Sequence, residues 1–346
     1  MHARIVLNAL ALTPGGSGVQ TYIRNLVRAL PECVEAELAA VVQSDATGEL
    51  PSGVAAMERR SCYGVRRSLE GLRSVGAADL VHGLDVDLPL RPGAPTVSTV
   101  HDLSFLDVPW AYGRLHRVAK LSTMRRSVRR ADALIAVSGF TADRIRHHFR
   151  RDAEVVHLAP APGFAPPAPG DVAAVREAYG LPAEFVLHVG NLEPRKDVPT
   201  LAAACREAGV LLVLAGGSIA TVDVPAGARL LGYVDVARLP ALYAAASAVA
   251  YVSRYEGFGL PPLEAMACGA AVVATRVGAL PELAEGAVEW VPARDPEAQA
   301  VAIRSLVADE EHRSELAAAG LAAVARLSWT ETARRTAGVY GSLGIP

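Results

Sequence analysis

Short runs of aliphatic and β-branched residues recur along the chain, separated by stretches whose apolar residues fall at three- and four-residue steps. Runs at 3–10 (ARIVLNAL), 37–42, 79–83, 95–100, 132–138 and 154–158 predict one series of strands. A second series is predicted at 185–190 (FVLHVG), 210–215, 248–252 and 271–275. Residues 19–30 (VQTYIRNLVRAL) predict an amphipathic helix, one of many between the strands. Such alternation, with continuously apolar strands, implies parallel sheets covered on both faces. Between the two series, residues 159–171 (APAPGFAPPAPGD) hold five prolines and two glycines, which suit neither a sheet centre nor a helix interior. The pattern predicts two Rossmann-like, doubly wound α/β domains, 1–160 and 161–328, with 329–346 as a C-terminal helix that is a candidate to pack back on the first.

At 346 residues, two domains are also the default for size. Hydrophobic residues at 51% and charged residues at 20% describe a folded, water-facing chain, and no apolar stretch nears the ~18 residues that span a bilayer. The apolar N-terminus reads as a first strand ending at Pro14-Gly15-Gly16 rather than as a signal peptide. Net charge is −2, so no global basic field argues for nucleic acid. The charge is uneven: Lys plus Arg against Asp plus Glu is 20 to 16 over residues 1–165 and 14 to 20 over 166–346. Four cysteines without C-x-x-C spacing argue against a disulfide scaffold or zinc site and for a reducing cytoplasm.

Chemistry concentrates at 253–269, SRYEGFGLPPLEAMACG. This is a strand-to-helix passage, where open parallel sheets bind ligands. Pro261 and Pro262 suit a first helical turn and Gly269 the residue after the helix. Gly257 and Gly259 admit a ligand close to the backbone, whose N–H groups favour an anion. Glu264, expected in the first helical turn, and Glu256, just outside it, would repel a phosphate but accept hydroxyls on either side of one. A sugar nucleotide has that layout. Alternatively both are ordinary helix N-terminal acids, worth ~0.3–1 kcal/mol each.

These residues carry a resemblance. EGFGLPPLEAMACG is similar to the E-x7-E signature of glycosyltransferase family 4, retaining enzymes of the GT-B fold. GGSG, TVHDLSF, ADALIAVSGFTADRI, GNLEPRKD and GYVDVARLPALYAAASAVAYVS extend the likeness, in order, over most of the chain, and the pattern resembles the mannosyltransferase-like branch. The resemblance implies two domains facing a cleft and transfer of a hexose from a nucleoside-diphosphate sugar, GDP-mannose first and UDP- or dTDP-hexose next. The acceptor is a hydroxyl of a glycan, a lipid-linked or a small molecule. No cofactor or metal is implied, and the departing diphosphate itself takes the acceptor's proton.

By the same resemblance Arg195 and Lys196 contact the diphosphate, approached from the first domain by the loop Gly16, Ser17 and Gly18. Glu264 holds the ribose and Glu256 the hexose, helped by the backbone of Gly257, Phe258, Gly259 and Leu260. Gly232, Tyr233 and Val234 lie where the base binds, and His101 contacts the transferred sugar. After Lys196 the family has Gly or Asn, whereas here Asp197 follows. The residues agree in kind: a guanidinium fork and an ammonium suit a diphosphate leaving group. Lys120 and Lys196 are the only lysines among 34 basic residues.

Other readings stand beside this one. Two such domains also suit an NAD-dependent oxidoreductase, although Thr21 replaces the third glycine of the dinucleotide fingerprint. A non-catalytic sugar-nucleotide-binding partner is a further alternative. Asp85-Val86-Asp87 imitates a metal motif, but two carboxylates alone are a poor metal site, so none is expected. Residues 114–130 hold seven Arg or Lys and no acid. A solvated helix face is the favoured reading there, with an anionic acceptor or peripheral contact at the inner membrane face as the alternative.

Overall fold

A computed structural model describes residues 3–15, 18–217 and 223–345. The chain divides into two compact units, Met1–Leu158 with Ser328–Pro346, and Ala159–Leu327.

Unit 1 is built on seven parallel strands, β1 (Ala3–Asn8), β2 (Ala36–Gln43), β3 (Val54–Arg59), β4 (Leu80–Gly83), β5 (Thr96–Val100), β6 (Ala133–Ala136) and β7 (Glu154–Val155). Their order is β3-β2-β1-β4-β5-β6-β7. Ile5 of β1 pairs with Leu38 on one side and Leu80 on the other, so the strand order reverses between β1 and β4. Helix Val19–Ala29 buries Tyr22, Ile23, Leu26 and Val27. The last helix, Trp329–Ser342, belongs to this unit; Ser328 caps it by accepting from the Glu331 N–H, and Trp329, Ala333 and Tyr340 are buried.

Unit 2 repeats the plan with β8 (Phe185–Val189), β9 (Leu211–Ala215), β10 (Ala228–Gly232), β11 (Ala248–Tyr251), β12 (Val272–Ala274) and β13 (Glu289–Trp290). The order β10-β9-β8-β11-β12-β13 is that of a dinucleotide-binding fold, reversing between β8 and β11. Val186, Leu212, Ala250 and Val273 from four neighbouring strands pack on helix Val198–Ala208 in a continuous core.

Ten of the strands fall where the apolar runs predict them. The three additional ones, β3, β10 and β13, are all edge strands. An edge strand borders solvent and needs no continuous apolar run: β3 reads VAAMER and three of its six residues are exposed. Among the described residues no helix is long and apolar enough to cross a membrane.

Candidate active site

The carboxyl ends of β8 and β11 meet at the point where the order of the second sheet reverses, the place an open parallel sheet offers a ligand. Beyond β8 the chain makes a single 3-10 turn, Pro194–Lys196. Beyond β11 it runs through Glu256 to helix Leu260–Ala267. The backbone ties these passages together, the Arg254 N–H donating to the Arg195 carbonyl at 2.8 Å.

Both candidate cations converge on one carboxylate. Lys196 Nζ donates to Glu256 Oε1 at 2.5 Å, and Arg195 Nη1 lies 2.6 Å from Glu256 Oε2. Arg195 Nε also donates to Glu193 Oε2 at 2.7 Å, and its Nη1 to the Tyr255 carbonyl at 3.0 Å. Lys196 Nζ donates to the Tyr251 hydroxyl at 3.1 Å and stands 4.7 Å from the centre of that ring. Glu256 and Lys196 are buried. Burial alone would raise the Glu256 carboxyl, but the charges of Lys196 and Arg195 outweigh it and hold it at about 2. Burial pushes the Lys196 ammonium down, with Glu256 opposing. Glu256 is therefore not an open hydroxyl acceptor: each oxygen already receives a cation, and a sugar must use the remaining lone pairs.

Glu264 differs. It sits in the second turn of its helix, not the first, so neither glutamate is a helix N-terminal acid. Its Oε2 accepts from the Tyr243 hydroxyl at 3.2 Å, and burial pushes its carboxyl up to about 7. Around it the backbone follows the sequence expectation. Gly259 (φ +97°) precedes the helix, Pro261 and Pro262 occupy its first turn, and Leu260 is buried. The Ala270 N–H returns to the Ala265 carbonyl and the Gly269 N–H to the Met266 carbonyl, a Schellman closure with Gly269 at φ +76°.

Asp197 adopts φ +54°, a left-handed conformation that disfavours side chains other than Asn and, less strongly, Asp. The Gly or Asn usual at this point needs no compensation there. Asp197 Oδ1 accepts from the Thr200 hydroxyl at 3.0 Å, but its buried Oδ2 has no hydrogen-bond partner. Gly232 (φ +72°) ends β10, Tyr233 projects with 69% exposure, and Val234 is buried. The charge cluster also uses Tyr251 and Glu193, and Gly278 lies against its loop, none of them singled out from sequence. Gly278 (φ +60°) packs so closely that a Cβ there would meet the Phe258 carbonyl oxygen at 2.5 Å. Hydrophobic patterning hides Tyr251 as an ordinary strand residue.

In unit 1, Gly16 and Ser17 lie outside the described residues, while Gly18 (φ +63°) precedes helix Val19–Ala29. His101 follows β5, half-buried, its Nε2 2.8 Å from the Leu84 carbonyl oxygen and its ring edge-on to Tyr22 at 4.7 Å. A carbonyl only accepts, so Nε2 carries the proton and Nδ1 is the nitrogen open to a ligand. Asp102 does not serve His101: its Oδ1 accepts from the backbone N–H and hydroxyl of Ser104. His82 is a satisfied core residue, between Tyr340 at 2.6 Å and Thr99 at 2.8 Å. Asp85 of the D-x-D sequence faces two cations, Arg67 and Lys120, each at 3.7 Å. Among the described residues no group of three or more His, Cys, Asp or Glu is placed to hold a metal ion.

Two parallel Rossmann-like sheets, one with an Arg–Lys pair at its switch point, define an α/β enzyme of the nucleotide-binding type. Comparison with known proteins narrows this. The model of Glycosyltransferase Family 4 matches residues 16–162 and that of Glycosyl transferases group 1 matches residues 174–322. The O-antigen chain mannosyltransferase B of Escherichia coli is 32% identical over 282 residues, 75% of this chain and 74% of that one. A D-inositol 3-phosphate glycosyltransferase 2 of Catenulispora acidiphila is 32% identical over 98% of this chain and 89% of its own. Sucrose-phosphate synthase from Thermosynechococcus elongatus shares the fold with a TM-score of 0.80 at 22% identity, covering 99% of both chains. Anabaena HepE, in complex with UDP and glucose, does so with a TM-score of 0.76 at 19% identity, covering 99% of this chain and 100% of that one. The chain belongs to glycosyltransferase family 4 and has the GT-B fold. It is an enzyme that transfers a sugar from a nucleotide-sugar, which sets the oxidoreductase alternative aside.

Proposed function

We propose that the protein transfers a hexose with retention of configuration from a nucleoside-diphosphate sugar, GDP-mannose first among the candidates, to an acceptor hydroxyl. The observation that carries this reading is the convergence of Arg195 and Lys196 on Glu256 at the switch point of unit 2. Two cations preset at 2.5–2.6 Å from one anion need little rearrangement to meet the charge that grows on a departing diphosphate. Glu256 orients both and offers its remaining lone pairs to the hexose. Glu264 accepts from the ribose, the ends of Gly232 and Val234 border the base, and His101 Nδ1 accepts from the transferred sugar. The mannose assignment is supported by the E. coli relative's name, while the HepE complex supports a uridine donor as the next candidate.

The reaction needs no metal or cofactor in this reading, since the cations already supply the charge. Four free cysteines suit a reducing cytoplasm. In helix Arg114–Arg130 two of the inward cations have internal hydrogen-bond acceptors: Arg117 donates to the Phe105 carbonyl, and Arg126 to those of Leu88 and Pro89. Arg114, Arg125 and Arg129 with Val118 form the exposed face, which supports contact with an anionic membrane surface.

The test is a donor panel of GDP-mannose, UDP-glucose and dTDP-glucose with chelator present, the product's anomeric configuration being read by NMR. Transfer from one donor with retention is the expected result. Inversion, or loss of activity on chelation, would overturn the corresponding part.

A further inference from the structure

We propose that Arg67 and Lys120 of unit 1 form a second anion site, which takes a phosphate-type group carried by the acceptor; this rests on the transferase reading above. The chain uses arginine for all but two of its 34 basic residues. One lysine, Lys196, pairs with Arg195 on Glu256 beyond β8 and β11. The other, Lys120, pairs with Arg67 on Asp85 beyond β4, where the first sheet reverses its order. Each switch point thus carries one lysine, one arginine and one carboxylate.

The unit 1 cluster has donors that no described residue engages. Arg67 Nη2 and Lys120 Nζ both stand 3.7 Å from Asp85 Oδ2, too far for a hydrogen bond. Neither side chain donates to any other described residue, yet their side chains are only 17% and 24% exposed. A guanidinium and an ammonium with donors to spare, side by side, suit a tetrahedral oxyanion that would engage both. The carboxylate they flank is held in place from behind. Asp85 Oδ1 accepts from the Val86 N–H at 2.9 Å, and Asn8 Nδ2 donates to the Asp87 carbonyl at 3.0 Å. His101 donates to the Leu84 carbonyl in the same loop.

The acids do not defeat the site. Burial alone would raise the Asp85 carboxyl, but Lys120, His101 and Arg67 hold it at about 2. Asp87 is pushed up to about 6 by burial and by Asp85. Two cations therefore face two carboxylates, of which Asp87 takes up a proton first as pH falls toward about 6. An arriving phosphate competes with Asp85 for two cations that stand 3.7 Å from it and make no hydrogen bond to it.

Isothermal titration of inorganic phosphate into the full chain tests this, with unit 2 first saturated by the nucleoside diphosphate that binds it. We expect saturable binding, weakened about tenfold or more by Arg67→Gln and by Lys120→Gln. Asp85→Asn removes the competitor and should tighten binding, a sign that loss of folding cannot imitate. Phosphate binding insensitive to Arg67 and Lys120, or weakened by Asp85→Asn, would overturn the site. Glycerol phosphate and phosphatidylglycerol vesicles then distinguish the source: vesicle binding abolished by Arg67→Gln assigns the phosphate to a lipid-linked acceptor, and competition by glycerol phosphate alone assigns it to a soluble one. If no nucleoside diphosphate binds, the transferase reading fails by itself, and the phosphate titration on the free chain is still decisive for the site.

Discussion

In unit 2 the Arg–Lys pair sits 2.6 and 2.5 Å from the two oxygens of Glu256, whereas in unit 1 the corresponding pair stands 3.7 Å from a single oxygen of Asp85. The ingredients are alike and the consequences differ. The closed cluster is buried, and its three charges satisfy one another before any ligand arrives. Its geometry suits a group that must be ready when charge develops, because preset donors cost no reorganisation during reaction. The open cluster is half-buried and leaves donors to spare, which suits recognition of a group that does not react. Distance, not composition, separates the two roles.

This contrast is broken most directly by neutralising each carboxylate. Glu256→Gln strands the buried Lys196 and leaves Arg195 with Glu193 as its anionic partner, and should cost about 3–5 kcal/mol of stability in denaturant unfolding. Asp85→Asn should cost less than that, since its two cation pairs are longer and their cations more exposed. Equal losses would mean the clusters are not closed and open after all. Lys196→Ala removes a charge-assisted contact of ~1.5–3 kcal/mol. Turnover at saturating donor should fall ~10–100-fold; undiminished turnover would remove Lys196 from the chemistry.

Two glutamates on the same passage should also pull stability in opposite directions with pH. An unfolded glutamate titrates near 4.3. Folded Glu256 titrates at about 2, so its stabilising contribution is complete above the unfolded value and is lost as pH falls through about 2. Folded Glu264 holds its proton up to about 7, so its contribution declines as pH rises from about 4 to that value. Melting temperatures across pH 2–8 should show Glu256→Gln flattening the acid limb and Glu264→Gln removing the decline toward neutrality.

Smaller effects sharpen the picture of how the closed cluster is held. Gly278→Ala places a methyl 2.5 Å from the Phe258 carbonyl oxygen at a left-handed φ, and should cost ~1–3 kcal/mol while weakening nucleotide affinity. Nucleotide binding that survives unchanged would show that the Glu256–Leu260 passage does not depend on this contact. Asp197→Gly relieves the left-handed strain beside Lys196 and an unsatisfied carboxylate oxygen, for a gain of up to about 1 kcal/mol in thermal unfolding. A loss instead would show that the Thr200 contact outweighs both.

The interior of each sheet was legible from the chain because a strand buried on both faces must be apolar throughout. The edge strands β3, β10 and β13 were not, because solvent on one side relaxes that demand. Arg195, Lys196 and the Glu256–Leu260 passage were legible too, since turn chemistry and helix-start signals act over a few residues. Glu264 was misplaced by one turn because helix starts are less sharply encoded than helices. Asp85 read as an imitation of a metal motif, and nothing near it in sequence points to Arg67 or Lys120.

What periodicity and local turn chemistry encode, then, are two parallel sheets and the strand ends where ligands meet them. Which charges face one another there is a through-space matter: Lys196 reaches Glu256 across 60 residues of chain and Tyr251 across 55. Only packing of the helices onto the sheets sets a cation at 2.5 Å in one unit and 3.7 Å in the other. Coulomb attraction and desolvation both change steeply over that interval, so the folded chain decides which cluster is closed and which is open.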